Sequence, residues 1–244
     1  MKVIDINCDV GEGLGNEALL MPYISSCNIA CGGHAGNAHT MQRVIEIAML
    51  HKVKIGAHPS YPDKENFGRR VMDISNDQLQ FSIEQQLQDI ISICLKNNIK
   101  LHHIKPHGAL YNVAAVNKNI ASVIIEAVKQ KVQDAILYVP FNSVIESLAK
   151  EQGLKVMVEA FADRNYNTDL TLVSRAHPDA LITDKNQLIR HLERMMINEE
   201  VIAIDGSRHK LKADTFCFHS DSPSAVGLLK YASEKLQETG IKVG

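Results

Sequence analysis

Apolar positions along this chain follow two alternating periods. Short, nearly continuous apolar runs read as buried strands: Val3 to Cys8, Cys27 to Cys31, Val53 to Ala57, Leu101 to Lys105, Ala135 to Val139, Leu154 to Phe161, Val201 to Asp205 and Thr215 to Phe218. Between most of them, apolar residues recur at the spacing of one helix face. Met41, Val44, Ile45 and Ala48 form one such stripe, and Ile83, Leu87, Ile90, Ile91 and Cys94 a longer one. Others begin at Ile120, Phe141, Leu188 and Ala225. Ser75 with Gln78 and Asp184 with Gln187 read as capping boxes. Ser222-Pro223 reads as an N-cap and first helical residue, and Gly153 and Gly240 as helix ends.

Strict strand–helix alternation predicts an α/β fold, mostly parallel, with helices outside the sheet. No linker, repeat or low-complexity tract interrupts it, so a single domain over residues 1–244 is expected. Val201–Asp205 and Leu211–Phe218, joined around Gly206-Ser207, read as a hairpin that would interrupt a perfect barrel.

Composition narrows the partners. A net charge of −2, no Trp and 5% aromatic residues argue against a nucleic-acid surface. The start, Met1-Lys2-Val3-Ile4-Asp5, is too polar for a secretory leader. No run approaches the roughly 18 apolar residues of a membrane span, so a cytoplasmic protein is expected. The 5 cysteines have irregular spacing and no C-x-x-C pair, so they read as reduced, buried thiols rather than a closed zinc site.

In parallel α/β folds, chemistry gathers at the C-terminal ends of the strands. Here those ends read Asn7-Cys8-Asp9 running on to Glu12, Asn28 through His34, Gly56-Ala57-His58-Pro59, His103 through Gly108, Glu159 through Arg164, and His219-Ser220-Asp221. One such group could be a satisfied core residue, but six ends carrying carboxylates, imidazoles or cations point to a site. Leu101, His103, Lys105 and His107 share one strand face, so Lys105 needs an anionic partner; Asp9 or Asp221 would serve structurally. His103 and His107 would lie roughly 13 Å apart on a strand, which excludes a helical zinc pair. Arg69-Arg70 would clamp a carboxylate or phosphate, or be a solvated pair. The run Gly11-Glu12-Gly13-Leu14-Gly15 lacks the dinucleotide spacing, and no P-loop occurs.

These segments, together with Phe67-Gly68-Arg69-Arg70 and Lys105-Pro106-His107-Gly108-Ala109-Leu110-Tyr111-Asn112, run in order through the chain and resemble the LamB/YcsF family of bacterial 5-oxoprolinase A subunits. Asn37 and Ser220 depart from the family pattern, standing for its usual Asp and Gly. The resemblance implies a distorted barrel of about seven mostly parallel strands, similar to sugar deacetylases. It also implies ATP-dependent opening of 5-oxoproline to L-glutamate, in a complex with two other subunits; a homo-oligomer is compatible with it. On that chemistry Lys105 is the expected cation, Asp9 or Glu12 the base and His107 the acid, with Asp221 also catalytic. Arg164 or Arg69 would hold the substrate carboxylate, with Asn28, His34, His58, Glu159 and Asp163 lining the substrate. Two other readings stand beside this one. The first is a divalent-metal deacetylase or amidohydrolase with Asp9, His34 and His58 among its ligands. The second is a non-catalytic scaffold protein within the complex.

Overall fold

The computed structural model describes residues 2–132, 134–222 and 224–244. In chain order the elements are β1 (Lys2–Val10), α1 (Glu17–Leu20), β2 (Ser26–Ala30), α2 (Ala38–His51), β3 (Lys54–His58), α3 (Asn76–Lys96), β4 (His103–Ile104), α4 (Gly108–Ala114), α5 (Lys118–Lys131), β5 (Ile136–Pro140), α6 (Val144–Glu151), β6 (Val156–Phe161), α7 (Lys185–Glu193), β7 (Glu200–Ile202), β8 (Arg208–Lys210), β9 (Thr215–Phe218), α8 (Ala225–Glu238) and β10 (Ile241–Val243). Among the described residues, seven parallel strands close into a barrel in the order β1-β2-β3-β4-β5-β6-β9, with β9 returning to β1. Strand β10 adds to the free, N-terminal half of β1, from Lys2 to Ile4.

Period-two alternation explains both the closure and the polar interior. On β1, Ile4, Ile6, Cys8 and Val10 belong to the apolar core. Asp5, Asn7 and Asp9 reach side chains of other strands instead. Asp5 Oδ1 accepts from Ser26 Oγ (2.8 Å) and Thr215 Oγ1 (2.7 Å). One step up, Asn7 Nδ2 donates to Thr215 Oγ1 (2.8 Å), and Asn28 Nδ2 donates to Asn7 Oδ1 and Asp9 Oδ1 (each 2.8 Å). His103 Nε2 meets Asn28 Oδ1 at 2.7 Å. A barrel filled with polar groups is tolerable because its members satisfy one another.

The layer also explains Gly56. Any side chain there would overlap the His103 imidazole, which fills the space over β3. Strand β4 is shorter than the sequence run suggests, because Pro106 has no N–H to extend the ladder. The segment nevertheless stays on β3: Lys105 N–H donates to Ala57 O (2.9 Å) and His107 N–H to Pro59 O (2.8 Å).

The expected hairpin is corrected. Strand β7 pairs antiparallel with β8, apart from the barrel, and Thr215–Phe218 is a parallel barrel strand. Burying Thr215 and Cys217 among the interior polar groups outweighs a longer local hairpin. Ser75 and Gln78 do form a reciprocal capping box, and Asp184 accepts from Gln187 N–H. Helix α8 starts after Ser224, not Ser222, and Pro223 lies outside the described residues. Among the described residues no helix is long and apolar enough to cross a membrane.

Candidate active site

A cavity of about 330 Å³ opens at the C-terminal mouth of the barrel. Asp9, Glu12, His58, Lys105, His107, Arg164, Arg175, His219 and Asp221 all line it. At its floor Lys105 is 2% exposed, so its charge must be met by the protein. Its Nζ lies 3.0 Å from Asp9 Oδ1 and 2.8 Å from Glu159 Oε1. It also donates to Cys217 Sγ (3.1 Å). Burial alone would lower the lysine pKa, but the Asp9 carboxylate, the Cys217 sulfur and the Glu159 carboxylate hold it well above the usual value. Burial likewise works against ionised Asp9; the positive charge gathered around it, the Lys105 ammonium included, outweighs it and keeps the carboxyl well below its usual range.

One wall is a packed imidazole cluster. His34 and His107 stack with ring centroids 3.7 Å apart and planes 4° from parallel. His34 Nε2 meets Glu12 Oε1 at 3.1 Å. His107 Nδ1 lies 3.0 Å from His58 Nε2 and 3.6 Å from Glu12 Oε1. The loop that closes over these rings passes Gly68 at φ +62°, where a methyl would stand 3.0 Å from both the His34 and the His107 side chain. Burial, then the Asp9 charge, pushes Glu12 up; burial, then His58, pulls His34 down to about 3.

The opposite wall carries His219. Asp163 Oδ2 accepts from the His219 backbone N–H (2.8 Å), and Asp163 Oδ1 lies 3.0 Å from its Nδ1. The ring stacks on Phe161 at 5.4 Å. This fixes the imidazole and leaves Nε2 free of any protein partner among the described residues. At the rim, Asp221 sits between Arg69 Nη2 (2.8 Å) and Arg175 Nη1 (2.9 Å). Arg164 is turned to the backbone, donating to Val173 O (2.6 Å) and Ala180 O (3.2 Å).

The model of the LamB/YcsF family matches residues 4–244. The chain belongs to the LamB/YcsF family. The 5-oxoprolinase A subunit of Natranaerobius thermophilus is 41% identical over 248 residues, covering 100% of this chain and 96% of that protein. The crystal structure of a lactam utilization protein from Thermus thermophilus superposes with a TM-score of 0.92 at 35% identity, covering 100% of this chain and 99% of that one. A peptidoglycan deacetylase of Bacillus subtilis, PdaC, reaches a TM-score of 0.50 at 11% identity over 99% of this chain and 86% of its own, a likeness of fold alone.

Within this family barrel, several expectations move. Glu159 is tied to Lys105 beneath the cavity rather than lining it, and Asn28 is fully buried in the layer under Asp9. Asp221 reaches neither Lys105 nor the floor; two guanidiniums hold it at the rim. Arg164 has its donors on the 173–180 segment, so Arg69 is the freer guanidinium. Of the expected trio, His34 and His58 fall with Glu12 and His107 into one group of possible metal ligands, whereas Asp9 groups with Cys217 and His219. Asn37 caps α2, accepting from Thr40 N–H, a task Asp performs equally well. His219 stood in the strand-end series without an assigned role, and Arg175 was not singled out at all. The strand-end position of His219 was the available signal; Arg175 lies in a loop without periodicity.

Proposed function

We propose that this chain is the A subunit of an ATP-dependent 5-oxoprolinase, acting with two other subunits in the cytoplasm. The reaction consumes 5-oxoproline, ATP and two waters and yields L-glutamate, ADP and phosphate. A lactam resists water because amide resonance lowers its electrophilicity and its nitrogen leaves poorly. Transfer of the γ-phosphoryl group to the lactam oxygen makes the ring carbon electrophilic. Water adds there, the C–N bond breaks as the nitrogen takes a proton, and a second water hydrolyses the resulting acyl phosphate.

The observation that carries this reading is a small cavity facing both an oriented imidazole and a cationic rim. His219, held by Asp163, is placed to take a proton from water and return it to the ring nitrogen. It replaces His107 in the acid role, because His107 Nε2 lies 2.9 Å from the Phe67 carbonyl and must donate to it. Asp9 is a weak base, being held ionised by its neighbours. Arg69 and Arg175 supply the anion subsite for the substrate carboxylate or the transferred phosphoryl group. The Natranaerobius relative, named for its place in 5-oxoprolinase, supports the same assignment.

The test is glutamate release from 5-oxoproline by the purified chain, alone and with ATP and the two other subunits. The chain contains no complete nucleotide motif, so slow or no turnover is expected alone and restored turnover in the full mixture. Full activity of the isolated chain without ATP would overturn the reading.

A further inference from the structure

The His58–His107 contact contains a chemical contradiction unless something lies between the rings. His58 Nδ1 is 2.7 Å from Lys105 O, and His107 Nε2 is 2.9 Å from Phe67 O. A carbonyl oxygen only accepts, so both of those nitrogens carry the proton. In the neutral rings this leaves lone pairs on His58 Nε2 and His107 Nδ1, and these two atoms face each other at 3.0 Å. Two lone pairs repel. A cation accepted by both resolves the clash, and fixing each ring through its far N–H is how proteins orient metal-binding histidines.

Carboxylates complete the set. Glu12 Oε1 lies 3.6 Å from His107 Nδ1, and Asp9 Oδ2 lies 3.4 Å from His58 Nε2. Ligand atoms about 2.05 Å from a tetrahedral ion stand about 3.3 Å from one another, and the three spacings bracket that value. We propose that Glu12, His58 and His107, with Asp9, bind one divalent transition-metal ion at the edge of the cavity. Two imidazoles select zinc, cobalt, nickel or iron(II) over magnesium, calcium or manganese. All four side chains line the cavity, so a bound molecule would reach the ion by raising it from four-coordinate to five-coordinate. His34 Nε2 meets the same Glu12 oxygen, at 3.1 Å, and within this group of possible ligands it is assigned as the positioning residue.

The test reads binding on the full chain, tag-free and stripped with chelator, so it is independent of whether the chain opens 5-oxoproline. Cobalt(II) is titrated while visible d–d absorption and calorimetric stoichiometry are recorded. One cobalt per chain, with intense tetrahedral or five-coordinate bands, is expected. His58→Ala, His107→Ala and the milder Glu12→Gln should each weaken binding at least about tenfold. His34→Ala should weaken it less and keep the bands. Circular dichroism of each variant separates lost ligation from lost fold, and Glu12→Gln keeps the test valid if the alanine variants unfold. Absence of saturable cobalt and zinc binding by the folded wild-type chain would overturn the proposal and leave a shared proton as the bridge. Binding unchanged in folded Glu12→Gln and His107→Ala would overturn it too.

Discussion

Lys105 and His219 line the same cavity but meet opposite fates when removed. Lys105 is enclosed by Asp9 and Glu159, so Lys105→Ala leaves two buried carboxylates facing each other. Deleting one partner of such a buried set typically costs about 3–5 kcal/mol. His219 is held by Asp163 and by the face of Phe161, and its backbone N–H keeps its own bond to Asp163 when the ring is removed. His219→Ala should therefore cost less stability than Lys105→Ala, while turnover in the assembled enzyme falls by about 10² to 10⁴, the usual loss for a proton-transfer group. Denaturant titration and turnover on the same preparations check both. A stable Lys105→Ala protein, or a fully active His219→Ala enzyme, would reject the assignment concerned. From the sequence, Lys105 was legible as a buried cation because the strand period puts it inside. Its second partner was not, since Glu159 lies 54 residues downstream on another strand and only barrel closure brings the two together.

At the scale of elements, β3 and β4 pack through an absent side chain. Gly56 leaves the volume that the His103 ring occupies, and that ring in turn holds Asn28 under Asp9. Gly56→Ala should push the imidazole off its site and cost about 1–3 kcal/mol, the usual range for overpacking a filled interior. Chemical denaturation measures it; a loss under about 0.5 kcal/mol would mean the ring has room to move. Strands and helices with strong periods were readable along the chain, as with the α3 stripe from Ile83 to Cys94. Strand β10 was not, because Ile241-Lys242-Val243 is too short to show a period and exists through pairing with β1. The hairpin was misread for a related reason: Leu211 to Phe218 looks continuous, and only the interior partners of Thr215 and Cys217 assign β9 to the barrel.

The whole molecule folds around imidazoles kept neutral. His103 is held well below the ordinary histidine value, by burial first and then by the neighbouring His102. His191 is held at about 4, again mainly by burial. An unfolded chain protonates such groups below about pH 6.5, whereas the folded chain does not. The unfolded state then binds more protons, so stability falls as the medium is acidified. Each group contributes a slope of up to about 1.4 kcal/mol per pH unit between its unfolded and folded values. Depressed carboxylates such as Asp9 extend the loss below about pH 4, by the same sign. Stability should be nearly flat from pH 7 to 8 and fall steeply from about pH 6.5 to 4.5. Urea midpoints across that range test it, and equal midpoints at pH 7.5 and pH 5 would contradict it.

The same enclosure makes the five cysteines a clock. Cys8, Cys27, Cys31, Cys94 and Cys217 are all buried and unpaired, and they sit on β1, β2, the residue after β2, α3 and β9. Burial raises every one of these thiols, Cys94 to about 11 and Cys31 to about 12. Alkylating reagents attack the thiolate, so the closed barrel offers them almost nothing. Label therefore enters only during the moments when a strand detaches, and the mass of the product records how many thiols were uncovered together. Mass spectra that step from zero to five labels would describe a barrel that opens all at once; intermediate counts would show which staves lift first.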